Sequence, residues 1–208
     1  MGHKYGDSPQ FYNAVEAMDK RVGLIWKAIR YRRQHFNEDW LLIITTDHGR
    51  EPATGKGHGG QSDRERGSWI FTNAKTRNAE FHAPYASATD IMPGIARFMH
   101  IDIPEATAFE IDGLPFIGPL SFNQAQFSLN NHLLRASWKP LTKKGKIKIW
   151  LSTTNGVKTG QKDTYTLLDE VPVSKQSVQV SLAKFPSAFY KVVLQGEHNT
   201  ANAWLTEK

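Results

Sequence analysis

The chain contains no cysteine. Disulfides, thiolate metal sites and a thiol nucleophile are therefore excluded, while the compartment stays open. No uninterrupted apolar run approaches the ~18 residues of a membrane span, so no segment reads as crossing a bilayer. The amino terminus, Met1-Gly2-His3-Lys4-Tyr5, is polar and lacks the apolar stretch of a secretory signal. A phosphate-cradling loop is missing too. Gly55-Lys56 is not followed by Ser or Thr, and Gly49 stands one residue too far upstream for that motif.

What is present is ordinary for a globular protein, with 39% apolar and 22% charged residues. A length of 208 residues allows one or two domains with a real core. The net charge of +6 is unevenly placed. Residues 1–120 carry 14 Lys+Arg against 15 Asp+Glu, and residues 121–208 carry 12 against 5. Alternating strands spread this positive charge over a solvated face, and no groove for nucleic acid is expected.

The densest chemistry lies in residues 41–60. Leu41-Leu42-Ile43-Ile44 runs into Thr45-Thr46-Asp47-His48-Gly49, and Gly57-His58-Gly59-Gly60 follows after a charged loop. An unbroken apolar run reads as a strand (41–46) buried on both faces of a parallel sheet, with the ligand site just beyond its carboxyl end. Neighbouring strand residues point to opposite faces. Asp47 and His48 can share one ion only if the extended backbone ends there, and Gly49 supplies that freedom. Carboxylate and imidazole donors suit zinc or a similar divalent ion. The plainer reading of the same residues is a cap and a surface histidine.

Before this strand, Ser8-Pro9 opens a helix to about residue 35. Phe11, Val15, Met18, Val22, Ile25 and Ile29 form one apolar stripe, expected to pack on the sheet. After it, Ser68–Thr72 reads as a second short strand, and His82 and Tyr85 as loop positions at the surface. A second helix starts at Ser87 or Thr89 and turns Ile91, Ile95, Phe98 and Met99 inward, with Asp90 a helix-start carboxylate rather than a ligand. From about residue 121 the period becomes two. Leu134/Ala136/Trp138, Ile147/Ile149/Leu151, Val178/Val180/Leu182 and Tyr190/Val192/Leu194 argue a small antiparallel sandwich. Trp138, Trp150 and Trp204 are core residues or stacking platforms, with at least two expected in the core.

Thr46-Asp47-His48-Gly49 with Gly57-His58-Gly59-Gly60 resembles the metal-binding core of the alkaline phosphatase superfamily, nearest its nucleotide pyrophosphatase/phosphodiesterase branch. Gly2-His3-Lys4-Tyr5-Gly6 is similar to part of that branch's Asp-x-x-Gly-His motif. Thr89-Asp90-Ile91-Met92-Pro93 and Asp112-Gly113-Leu114-Pro115 are similar to its closing helix and loop. The resemblance covers residues 1–120. It implies a partial alkaline-phosphatase-like α/β domain, mostly parallel sheet with helices, over 1–120. An antiparallel β-sandwich over 121–208 has a weaker likeness to fibronectin type III or immunoglobulin folds.

The resemblance further implies two divalent ions, zinc in the intact enzyme, with His3, Asp47, His48 and His58 among their ligands. Phosphodiesters or nucleotides would be the substrates, and a periplasmic or extracellular place would suit the intact parent. The chain departs from the family pattern where it matters most. It shows no Thr or Ser nucleophile on an upstream strand and no early Asp. The expectation is a carboxyl-terminal piece of a hydrolase, inactive alone. A sulfatase-family fragment is the alternative within the superfamily. A non-catalytic carbohydrate- or surface-binding protein is the alternative outside it.

Overall fold

The computed structural model describes residues 1–206, with Val157 and Lys158 as backbone only. Two compact units divide at Lys75/Thr76.

The first unit holds α1 (Gly2–Tyr5), α2 (Pro9–Phe36), β1 (Ile43–Thr45), α3 (Asp63–Arg66) and β2 (Ile70–Thr72). The Ser8 hydroxyl accepts from the Phe11 N–H at 3.4 Å and caps α2, with Pro9 at the first helical position. Two expectations need correction. The sheet here is not parallel: β1 pairs antiparallel with β2, in the register Ile43–Thr72, Ile44–Phe71 and Thr45–Ile70. Nor is the strand buried on both faces, since Ile43 and Ile44 are half-buried and Thr45 is exposed. The α2 stripe is likewise largely open. Val15, Met18 and Ile25 are exposed, and Ile29 is its one buried member. The cause is one of area: a ribbon of two three-residue strands is too small to cover a helix of 28 residues.

The second unit begins with 3₁₀ turns at Ala79–His82 and Ala88–Asp90, then α4 (Ile91–Phe98) and α5 (Glu105–Ala108). Among the described residues seven strands follow: β3 (Phe122–Asn130), β4 (Leu133–Pro140), β5 (Lys146–Ser152), β6 (Thr166–Pro172), β7 (Ser177–Ser181), β8 (Phe189–Gln195) and β9 (Thr200–Thr206). They form two antiparallel sheets, ordered β3-β4-β7 and β6-β5-β8-β9. All four alternating triplets read from the sequence contribute to one shared core, with Val180 partly buried at its edge. Trp138 is buried and donates its indole N–H to the Val173 carbonyl at 2.7 Å. Trp150 is half-buried, and Trp204 is exposed. The Tyr190 hydroxyl reaches back to the Phe185 carbonyl at 2.9 Å.

Residues 76–120 pack with this sandwich in the second unit. Thr200 and Asn202 of β9 donate side-chain bonds to the carbonyls of Ala108 (2.8 Å) and Ile111 (3.0 Å). The Arg97 guanidinium holds the carbonyls of Ile117 and Pro119 and also that of His198. A change from helical spacing to alternation marks a change of element type near residue 120, not a change of packing partner. On α4 the inward face is also other than expected. Pro93, Gly94 and Ala96 are buried, while Ile95 and Met99 are exposed. Small residues let the returning chain at Phe116 approach the helix closely, and only that side is covered.

Candidate functional site

Three imidazoles gather in the first unit. The rings of His48 and His58 stack with centroids 4.0 Å apart, and that of His3 lies 5.0 Å from His58. Asp47 joins them, its Oδ2 lying 3.3 Å from His48 Nε2. Residues 3, 47, 48 and 58, singled out in the sequence, are thus brought to one place.

Local chemistry explains the convergence. β1 ends at Thr45, and the Asp47 carboxylate accepts the His48 N–H at 3.0 Å, folding the chain back at the strand's end. Gly49 allows the turn, because a Cβ there would lie 1.7 Å from the Arg64 carbonyl oxygen. The loop that carries His58 is wound around the Glu51 carboxylate. It accepts the N–H groups of Ala53 (2.7 Å), Thr54 (3.0 Å) and Lys56 (3.1 Å) and the Thr54 hydroxyl (2.5 Å). Those bonds, the Thr54 hydroxyl first, hold the Glu51 carboxyl down at about 2. Beyond His58, Glu65 takes the Gly60 N–H at 2.8 Å and completes a capping box with Ser62 on α3.

His3 is delivered by a second set of contacts. Gly2 is buried beneath the Arg50 guanidinium, and the Asp7 N–H donates to the Thr54 carbonyl at 3.0 Å. Arg64 grips both Asp7 carboxylate oxygens, at 2.7 and 2.6 Å. Gly6 has φ of 58°, and any side chain there would strike the Thr54 carbonyl oxygen.

At His58 the electrostatics favour the neutral ring. Desolvation first, then the neighbouring charges of His48, His3 and Arg50, push His58 below the usual histidine range. The His48 N–H donates to Asp47, and this bond holds the Asp47 carboxyl below its usual range. His48 Nδ1 lies 2.7 Å from the Gly49 carbonyl oxygen, which only accepts, so Nδ1 is placed to donate there, while Nε2 faces the Asp47 carboxylate at 3.3 Å. A backbone carbonyl holding one ring nitrogen is the usual support of a metal-ligating histidine, and here the other nitrogen meets Asp47.

Residues 1–92 match the family model described as type I phosphodiesterase / nucleotide pyrophosphatase. The match covers 92 of the 208 residues, so this stretch is similar to that family of the alkaline phosphatase superfamily. No curated protein and no solved structure gave a match.

Within the matched segment, three imidazoles and a carboxylate are donor types that suit a zinc-like ion. Their arrangement is less direct. His48 and His58 meet face to face, at an interplanar angle of 28°, and among the described residues no three His, Cys, Asp or Glu side chains are grouped so as to hold an ion. The threonine hydroxyls beside the cluster are engaged. Thr45 donates to the Trp69 carbonyl at 2.8 Å, and Thr46 to the His48 carbonyl at 3.0 Å. Asp90 lies in the second unit and caps a 3₁₀ turn by accepting the Ser87 N–H at 2.8 Å. Desolvation pushes its carboxyl up.

Glu51, Asp7, Arg64 and Glu65 position the site and escaped the sequence reading. The Ser62-x-x-Glu65 spacing was a legible capping signal. The grip of Arg64 on Asp7 spans 57 residues and had no local signal.

Proposed function

We propose that the first unit is part of a metal-dependent hydrolase of phosphoric esters, of phosphodiesterase or nucleotide pyrophosphatase type. In this reading His3, Asp47, His48 and His58 hold divalent metal, zinc by preference, and the chain alone takes up metal without turning over a phosphodiester. The observation that carries it is the convergence of these four side chains inside the stretch that matches the family. A divalent ion, if held by these four side chains, would supply Lewis-acid chemistry, polarising a phosphoryl oxygen and lowering the pKa of a hydroxyl or water.

The protein's own contribution is to favour the neutral form of His58, to orient the His48 ring between the Gly49 carbonyl and Asp47, and to hold both loops in register through Glu51 and Arg64. The engaged hydroxyls of Thr45 and Thr46 support the absence of turnover, since neither is free to act as nucleophile. The second unit is read as a fibronectin type III-like appendage. Its three-plus-four strand arrangement supports this, as does the Tyr190 hydroxyl bonded back to the chain before its strand, a tyrosine-corner feature of immunoglobulin-like sandwiches.

Calorimetric titration with zinc, paired with an assay on bis(p-nitrophenyl) phosphate, tests the proposal. The expected result is zinc uptake weakened at least tenfold by His58→Ala, with no turnover. No zinc uptake by the folded chain overturns the metal assignment. Turnover abolished by chelator overturns the claim of inactivity.

A further inference from the structure

Lys191 is a lysine where a lysine is not expected. It lies on β8 between Tyr190 and Val192, and its side chain is 1% exposed. Its Nζ touches Asp163 Oδ2 at 2.5 Å and both Glu110 oxygens at 3.0 and 3.1 Å. The Asp163 side chain is 4% exposed. Its other oxygen, Oδ1, accepts the Gly156 N–H at 2.7 Å and the Thr154 hydroxyl at 2.8 Å. The Tyr165 hydroxyl donates to Glu110 at 2.6 Å, and the Trp204 ring lies 4.7 Å from Nζ.

A simple ion pair needs one carboxylate. Here a buried amine meets one carboxylate end-on while a second carboxylate sits on the same nitrogen. The first carboxylate has its far oxygen held by two donors. We propose that Lys191 and Asp163 condense into an intramolecular isopeptide bond, with Glu110 as the proton carrier.

The step balances. A proton crosses from Nζ to Oδ2, turning the ion pair into a neutral amine and a carboxylic acid. The amine lone pair attacks Cγ, which a hydrogen-bonded carboxylate places within the ~3–3.5 Å of an attacking atom. Negative charge develops on Oδ1, where the Gly156 N–H and Thr154 hydroxyl already point, as donors in an oxyanion hole do. Glu110 takes a proton from the nitrogen and delivers it to Oδ2. The Cγ–Oδ2 bond breaks, water leaves, and Glu110 is restored. No oxidant or co-reactant enters. Burial favours the neutral amide over two desolvated charges. Glu110, from the segment after α5, lies on the sheet face opposite the sandwich core, so the cross-link ties β8 to the loop before β6.

Intact-mass spectrometry of the full chain reads the outcome directly. The expected mass is lower by one water, in a fraction that grows with incubation, and a proteolytic digest yields a branched peptide joining residues 191 and 163. Glu110→Gln, which keeps the hydrogen-bonding shape, should hold the full mass, as should Lys191→Met. Full mass in the folded, aged wild-type chain overturns the proposal. So does a water loss mapped elsewhere, such as to a succinimide at Asp112-Gly113. The wild-type measurement does not depend on any variant folding.

Discussion

Replacing Gly94 by alanine sets two known effects against each other in one residue. In a helix interior, glycine to alanine ordinarily stabilises by ~1 kcal/mol. Gly94 is buried in α4, however, and a Cβ built there lies 2.4 Å from Phe116 Cε1, 2.7 Å from Cδ1 and 3.0 Å from Cζ. Phe116 is 2% exposed and its ring also meets that of Phe81, with centroids 5.7 Å apart, so it has little room to retreat. Forcing an extra carbon into a packed core costs about 1–3 kcal/mol. With a contact this short, the upper part of that range applies, and Gly94→Ala should lose about 1–2 kcal/mol net. At ~2–4 °C per kcal/mol for a chain of this size, the melting temperature should fall by roughly 2–8 °C. Urea unfolding followed by amide exchange at Val192 and Leu194 reports on the second unit. The double variant Gly94→Ala/Phe116→Leu should recover part of the loss. Gly23 on α2 is the control, since a Cβ there meets nothing within 4 Å. Gly23→Ala should therefore stabilise its own unit by ~1 kcal/mol. A Gly94→Ala protein as stable as the wild type would refute the packing of α4 on Phe116.

Two further outcomes concern the site. Glu51→Gln should loosen the loop before His58, raising amide exchange at Thr54 and Lys56 at neutral pH and weakening zinc uptake. Because folding depresses the Glu51 carboxyl to about 2, its contribution is complete above the unfolded value of ~4.3 and is lost only as pH falls through about 2. Loop exchange should therefore stay slow in mild acid in the wild type but not in the variant. His58 titrates below the usual histidine range, so its neutral ring favours the folded state above the unfolded pKa of ~6.5, and that advantage is lost as pH falls through the lower folded value. Histidine-resolved NMR should place its midpoint below that of the same ring in the urea-unfolded chain, and a higher midpoint would contradict the cluster.

The sequence was most legible where one local rule governs. Ser8-Pro9 marked the start of α2 correctly, because a cap and a proline act within one turn. The alternating triplets of the sandwich gave its buried residues, because period two fixes which face a side chain takes. Reading failed where burial depends on what arrives from elsewhere. The stripe on α2 and the run before Asp47 were apolar enough for a deep core, yet the ribbon beside them is too small to cover either. On α4 the bulkier face was taken as inward, although Pro93, Gly94 and Ala96 receive Phe116 because they are small. At the site, the ligand-type residues were visible from glycine-flanked motifs. The carboxylates that hold them were not, because Glu51 and Asp7 act through backbone N–H groups and an arginine with no motif of their own.

This contrast bears on how the first unit keeps its site in shape. Among its described residues, Ile29 and Ala74 are the buried apolar side chains, so little of its order comes from a hydrophobic core. The polar groups around the histidines do that work instead. Glu51 winds one loop, Glu65 anchors Gly60, and Arg64 pins Asp7 so that His3 stays beside His58. Bonds of this sort are individually modest at an exposed site and open easily. A ligand that binds the assembled cluster, and not the unfolded chain, then adds its full mass-action term to the stability of the unit, ~2.7 kcal/mol at a hundredfold excess over the dissociation constant. Zinc should consequently slow amide exchange across residues 50–65 and leave the sandwich strands unchanged. Equal slowing in both units, or in neither, would separate metal uptake from the cluster that the fold assembles.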